Sequence, residues 1–203
     1  LLLTWPCIAW LSMAFGLKGL HLVSAILKEP KKTDPAAFEP DYTVLFGFIL
    51  ITALLSVISL FLPVNGVTAV FFLLTGAVFS LEYRYEFIRM KERALDAWAS
   101  FGLPLKTALI VLFLLTAFSA VFTDIGESDT WFYHSQSILW IKEYAVVPGL
   151  GNLFGRLAFN SHFFIASALF SNFLSEDRVI FPLLGFFYFM FNARLLVNVH
   201  KGI

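Results

Sequence analysis

Charge is scarce in this chain and cysteine is nearly absent. Charged residues fill 14% of the 203 positions, against about 25% in an ordinary soluble domain. Fourteen Lys and Arg balance fourteen Asp and Glu, so the net charge is zero and nothing in it points to nucleic acid or an acidic partner. The single cysteine, Cys7, excludes an intramolecular disulfide and any zinc site needing two cysteines of this chain. It is expected to pack as a small apolar residue. Internal repeats and low-complexity tracts are also missing. No basic segment precedes the first apolar stretch, so a cleavable signal peptide is not expected. The start at Leu1 is read as trimming, or as a piece of a longer polytopic protein.

What fills the chain is apolar: 59% hydrophobic and 18% aromatic residues, with 25 phenylalanines. The mean hydropathy is +0.82. This composition belongs to an all-α integral membrane protein. A span needs about 20 mostly apolar residues, and six such runs are expected. They cover residues 1–17, 42–62, 67–81, 105–122, 161–174 and 179–199. Residues 19–27, with His21, are expected to follow the membrane surface. Residues 28–41 form a linker that Pro30, Pro35 and Pro40 keep from being helical. The run Pro63, Val64, Asn65, Gly66 is a tight turn by its residue types. Glu86, Arg89 and Glu92 stand at helical pairing distances, so residues 82–96 predict a helix in water or along the membrane surface.

The expected organisation is therefore four helices over residues 1–122, an outer loop with a surface helix over 123–160, and two helices over 161–203. Cationic side chains orient it. One set of connections carries Lys28, Lys31, Lys32, Arg84, Arg89, Lys91, Arg93, Lys106 and Arg178, the other only Lys142, Arg156 and Lys201. By the positive-inside rule the first set is cytoplasmic, which puts 123–160 outside.

That outer window concentrates chemistry. It holds the carboxylates Asp124, Glu127, Asp129 and Glu143, the imidazole of His134, and a loop with Pro148, Gly149, Gly151 and Gly155. A carboxylate just beyond a span is partly desolvated, which makes it a stronger base. Asp129 is thus a candidate catalytic base, or alternatively an interfacial residue or helix cap. In a helix over 129–144, Asp129, Tyr133, Gln136, Trp140 and Tyr144 would share one face, suited to a sugar or polar headgroup. The glycine-rich loop lacks the Gly-Lys-Ser/Thr ending of a nucleotide P-loop. Its Arg156 either faces a phosphate or is solvated. Arg194, toward the outer end of the last expected span, either snorkels or contacts phosphate. His134 and His162 could ligate a metal with Asp129 or Glu127, but they form no His-x-x-x-His pair. Neither a metal nor another cofactor is expected.

Asp129, Tyr133, His134, Gln136, Trp140, Glu143 and Tyr144, followed by Val-Pro-Gly-Leu-Gly-Asn-Leu at 147–153 and Phe-Asn-Ser at 159–161, resemble a family of multi-spanning bacterial membrane proteins of unassigned activity. That family in turn is similar to the GT-C glycosyltransferases, which include protein mannosyltransferases and lipid A aminoarabinose transferases. The resemblance implies a sugar donor on a polyprenyl phosphate carrier and transfer on the outer face of a bacterial inner membrane. Asp129 would be the base, with Tyr133, His134, Gln136 and Trp140 around the sugar and Arg156 or Arg194 near the phosphate. Two positions depart from the superfamily's pattern. Thr130 follows Asp129 where a second acid is usual, and four expected spans precede the loop where one is usual. GT-C enzymes are longer, so this chain would be the front part of one. The readings from other classes are a transporter or flippase for a lipid-linked glycan and a non-catalytic membrane subunit. Against transport, the second to fourth spans carry little that is polar beyond Thr, Ser and Lys106.

Overall fold

Within lipid a backbone N–H or C=O finds no water, so apolar runs of this length close their hydrogen bonds internally as helices. A computed structural model describes residues 3–27, 39–122, 133–158, 161–174 and 180–202, and every regular element among them is helical. The order is α1 (Thr4–Ile26), α2 (Pro40–Ile58), α3 (Gly66–Glu82), α4 (Arg84–Ser100), α5 (Leu103–Phe122), α6 (Ser135–Glu143), the single turn α7 (Leu150–Leu153), a 3-10 turn (Gly155–Ala158), α8 (His162–Leu174) and α9 (Ile180–Lys201). Large apolar side chains are exposed along the outer sides of α2, α3, α5 and α9, among them Val57, Phe71, Phe118 and Phe191. That surface suits lipid and would be untenable in water.

The bundle is built on α1, whose most apolar stretch is 44% buried against 17% for α9. The antiparallel α2 touches it backbone to backbone. A Cβ on Gly47 would overlap the Ser12 carbonyl, and one on Gly16 would overlap the Thr43 carbonyl. Small residues four apart on both helices allow this approach, the usual device where lipid offers no hydrophobic drive between helices. The parallel α3 follows a tight turn at 63–66, and its N-cap Asn65 accepts from the Val67 and Thr68 amides at 3.0 and 3.4 Å. Phe15 of α1 stacks on Phe72 of α3 at 5.4 Å. Trp5, Phe113 and Phe189 interlock at 5.4–5.8 Å and join α1, α5 and α9.

These contacts define two ends. The hairpin face carries the start of α1, the 59–65 turn and the end of α5. The opposite face carries the end of α1, the start of α2 and the α3–α4 junction. There α4 leaves α3 at 82°. Its sequence sets Arg89, Glu92, Arg93 and Asp96 on one side and Phe87, Met90 and Ala94 on the other. Met90 is buried against Leu17 and Tyr83, while residues 91–100 are all exposed, so α4 is anchored only at its start, on this face, termed the α4 face.

Three expectations change. First, residues 19–27 do not leave the first span, because α1 runs unbroken to Ile26. Second, the expected count of six spans is not reached among the described residues. Four helices (Thr4–Ile26, Pro40–Ile58, Leu103–Phe122 and Pro182–Lys201) are long and apolar enough to cross a membrane, and the bent pair α3 and α4 would make a fifth. The 13 residues of α8 extend only about 20 Å against a hydrocarbon core of about 30 Å. Phe164 through Ser171 are all buried, enclosed by α1, α2, α3 and α6. One end of α8 is tied to Ser56 through His162 at 2.8 Å, the other to the Val64 carbonyl through Asn172 at 3.2 Å. Both anchors lie beside the 59–65 turn, so the two ends of α8 are on the same face of the bundle.

Third, α9 runs opposite to the expected direction. It starts on the hairpin face, where Trp5 Nε1 donates to the Pro182 carbonyl at 2.8 Å. It ends on the α4 face, where Arg194 pairs with Glu39 and Asp41. Lys201 therefore belongs with the α4-face cations rather than with Lys142 and Arg156. Arg178 lies outside the described residues.

Two outcomes are expected. In a Cys7→Ser background, cysteines at Lys91 and Lys201 should be labelled by an impermeant maleimide from one side of the membrane and a cysteine at Lys142 from the other; 201 reacting together with 142 would reverse α9. Gly47→Ala should cost about 1–3 kcal/mol in detergent unfolding because a backbone carbonyl cannot give way. Gly66→Ala, with nothing within 4 Å of the added Cβ, should leave the midpoint unchanged.

Candidate functional site

The 133–162 segment is held on the hairpin face by backbone hydrogen bonds. The Val64 amide donates to the Ile141 carbonyl and the Val146 amide to the Ser59 carbonyl, both at 2.9 Å. These bonds fix α6 and the irregular 144–147 stretch beside the end of α2. Between α2, α6, the 145–152 loop and the start of α8 opens a groove of about 710 Å³. Its apolar walls include Val57, Leu60, Ile141 and Ile165, and its polar groups include Ser56, Ser137, Tyr144, Asn152 and His162.

Three local features shape it. Trp140 on α6 and Tyr144 just after it set their rings 5.0 Å apart and both line the groove. His162 Nδ1 lies 2.8 Å from Ser56 Oγ, joining the base of α8 to α2. Gly149 takes a left-handed conformation at φ 83° and turns the loop into α7, with the Asn152 amide donating back to its carbonyl at 2.8 Å. The Ser137 hydroxyl is buried and has no hydrogen-bond partner among the described residues. A hydroxyl in that state retains donor and acceptor capacity for whatever enters beside it.

The expected site residues do not converge on one face. Asp129, with Asp124 and Glu127, lies outside the described residues. Tyr133 and His134 sit in a wider π-type turn ahead of α6. The turn takes Tyr133 out of the 100° register with Trp140, whereas Gln136 keeps its spacing within α6 but lies beside the groove-facing side that bears Ser137, Trp140 and Ile141. Tyr133 packs its ring on His134 at 4.2 Å and lies under the Arg156 guanidinium at 5.4 Å. His134 leans on Phe164 at 5.1 Å. Gln136 is exposed, and the next residue, Ser137, takes its expected place in the groove. Of the described residues expected on one face, Trp140 and Tyr144 line the groove. Arg156 adjoins it through its neighbour Leu157.

Arg194 is the clearest correction. It lies on the α4 face, paired with Glu39, 3.4 Å from Asp41 and 5.1 Å above the Tyr42 ring. Its charge is neutralised at the start of α2 and does not reach the groove. No three His, Cys, Asp or Glu side chains come together as a metal site among the described residues.

Sequence reasoning passed over Ser56 and Ser137 as site residues and treated His162 only as a possible metal ligand. Tyr144, placed beside Trp140 by its helical spacing, does line the groove. Ser56 carried no signal, because a serine in an apolar helix reads as one bonded to its own helix.

A family model described as "Domain of unknown function (DUF8201)" matches residues 1–203. No curated protein and no solved structure matches the chain.

Arg194→Ala should lower stability in detergent by about 1 kcal/mol, as loss of a partly exposed ion pair does. It should leave the groove unaltered, read as unchanged quenching of Trp140 in a variant whose other tryptophans are replaced by phenylalanine. A variant that alters the Trp140 signal while retaining stability would return Arg194 to the site.

Proposed function

The chain belongs to the family described as a domain of unknown function, DUF8201, and from its groove we propose that it receives a polyprenyl-phosphate-linked sugar and acts in transferring that sugar to an acceptor. The observation that carries this reading is the groove itself: about 710 Å³, walled by aliphatic side chains and floored by an aromatic pair, serines and a histidine, at one end of a membrane bundle. Apolar walls suit a prenyl chain arriving from the bilayer, and flat rings with fixed polar groups suit a saccharide.

Cationic side chains support the orientation. Among the described residues Lys18, Arg84, Arg89, Lys91, Arg93, Lys106, Arg194 and Lys201 belong to the α4-face half of the bundle, and Lys142 and Arg156 to the hairpin face. By the positive-inside rule the α4 face is cytoplasmic, and the groove opens to the outside of a bacterial inner membrane.

The chemistry rests on the likeness to GT-C enzymes. Asp129, four residues ahead of Tyr133, takes the proton from an acceptor hydroxyl as its oxygen bonds to the anomeric carbon. The bond from that carbon to the carrier phosphate oxygen breaks with inversion, and the polyprenyl phosphate leaves with the electron pair. Arg156, braced on Tyr133, offers its charge to the departing phosphate.

In membranes supplied with a radiolabelled polyprenyl-phosphoryl hexose, Asp129→Asn should insert normally and lower transfer by about 10²-fold or more. Trp140→Ala should weaken carrier binding about tenfold through loss of the ring face. An Asp129→Asn protein that transfers sugar at the wild-type rate removes the transfer reading. A wild type that binds the carrier and moves it across the bilayer without transfer makes the protein a flippase, and one that binds no carrier leaves a structural subunit.

A further inference from the structure

His162 begins α8 and faces the groove, and its bond to Ser56 settles which ring nitrogen carries the hydrogen. Ser56 Oγ lies 2.7 Å from the Thr52 carbonyl and 2.8 Å from His162 Nδ1. A hydroxyl has one hydrogen, and a carbonyl can only accept. At 2.7 Å that hydrogen must point to Thr52, since otherwise two lone-pair-bearing oxygens would face each other. Ser56 is therefore the acceptor toward His162, and Nδ1 is the donor. In the neutral ring this leaves Nε2 with a lone pair. Among the described residues no hydrogen bond reaches Nε2.

An imidazole locked in this way presents a fixed acceptor to a groove whose other polar groups can donate: the Tyr144 hydroxyl, the Asn152 amide and the unpartnered Ser137 hydroxyl. A phosphate, which at neutral pH is an acceptor, gains nothing from that lone pair. A sugar hydroxyl, which can donate, does. We propose that His162 is the residue by which the groove distinguishes a sugar-bearing carrier from the bare carrier, its Nε2 accepting a hydrogen bond from a saccharide hydroxyl while Ser56 holds the ring. This rests on the lipid-linked sugar reading of the groove and deepens it by placing the headgroup at the α2–α8 junction.

The test compares undecaprenyl-phosphoryl glucose with undecaprenyl phosphate as probes, using the full chain in nanodiscs. His162→Asn keeps an amide donor near the Nδ1 position and removes the Nε2 acceptor. It should weaken binding of the glucosyl carrier about fivefold to tenfold, the range of one lost hydrogen bond, and leave the bare carrier unchanged. His162→Gln, whose amide reaches the Nε2 position, should recover part of the difference. Nitrogen-15 spectra of histidine-labelled protein should show His162 with a protonated Nδ1 and a bare Nε2, and Ser56→Ala should release that preference. A protonated Nε2 in the wild type, or a His162→Asn protein that binds both carriers as the wild type does or weakens both alike, overturns the assignment while leaving the groove reading in place. A wild type that binds neither carrier removes the groove reading and this assignment with it.

Discussion

Close backbone approach between α1 and α2 is the constraint on which the remaining packing depends. Lipid tails are as apolar as leucine, so helices in a bilayer gain little by merely hiding apolar surface and must gain by fitting closely. Gly47 against Ser12 and Gly16 against Thr43 provide that fit. With the α1–α2 pair set, the second side of α1 takes α3 through Phe15 and Phe72, and its N-terminal end takes α5 and α9 through Trp5, Phe113 and Phe189. The abundance of phenylalanine thus has two uses. Some rings key the helices together, and others, such as Phe71 and Phe118, face lipid.

The short α8 gives this bundle a usable face. A buried helix of 13 residues displaces lipid from between α1, α2, α3 and α6 without crossing to the other side. Its entry and exit near the 59–65 turn bring His162 to Ser56 and Asn172 to Val64. The groove forms where α8 begins and α6 and the loop after it are pinned to the hairpin by two backbone bonds. The return of α9 to the α4 face follows, and with it the pairing of Arg194 with the carboxylates at the start of α2. One short element therefore decides both the location of the groove and the exclusion of Arg194 from it.

The candidate site was partly legible in the amino-acid order. The concentration of aromatics, glycines and carboxylates in 124–160 pointed to the end of the bundle where the groove opens, and Trp140 lines that groove. The face assigned to α6 shifted because the groove meets the side bearing Ser137, Trp140 and Ile141, roughly a quarter-turn round the helix from Gln136, so that Ser137 replaces Gln136. Contributions from α2 could not be read at all. Ser56 is separated from His162 by 106 positions, and no local pattern encodes a contact at that distance.

The amino-acid order by itself determined that the chain is helical and suited to a membrane, that a tight turn joins α2 to α3, and that a polar helix follows α3. Each of these depends on residues close together in the chain: a run long enough to satisfy its own backbone in lipid, an asparagine ahead of a helix, charges at helical spacing. Tertiary structure decided how many helices are long enough to cross, which way α9 runs, and which polar side chains meet. Length and hydropathy cannot tell a short span from a short helix that turns back, because both are equally apolar. Only the partners at the two ends of α8, on the same face, distinguish them.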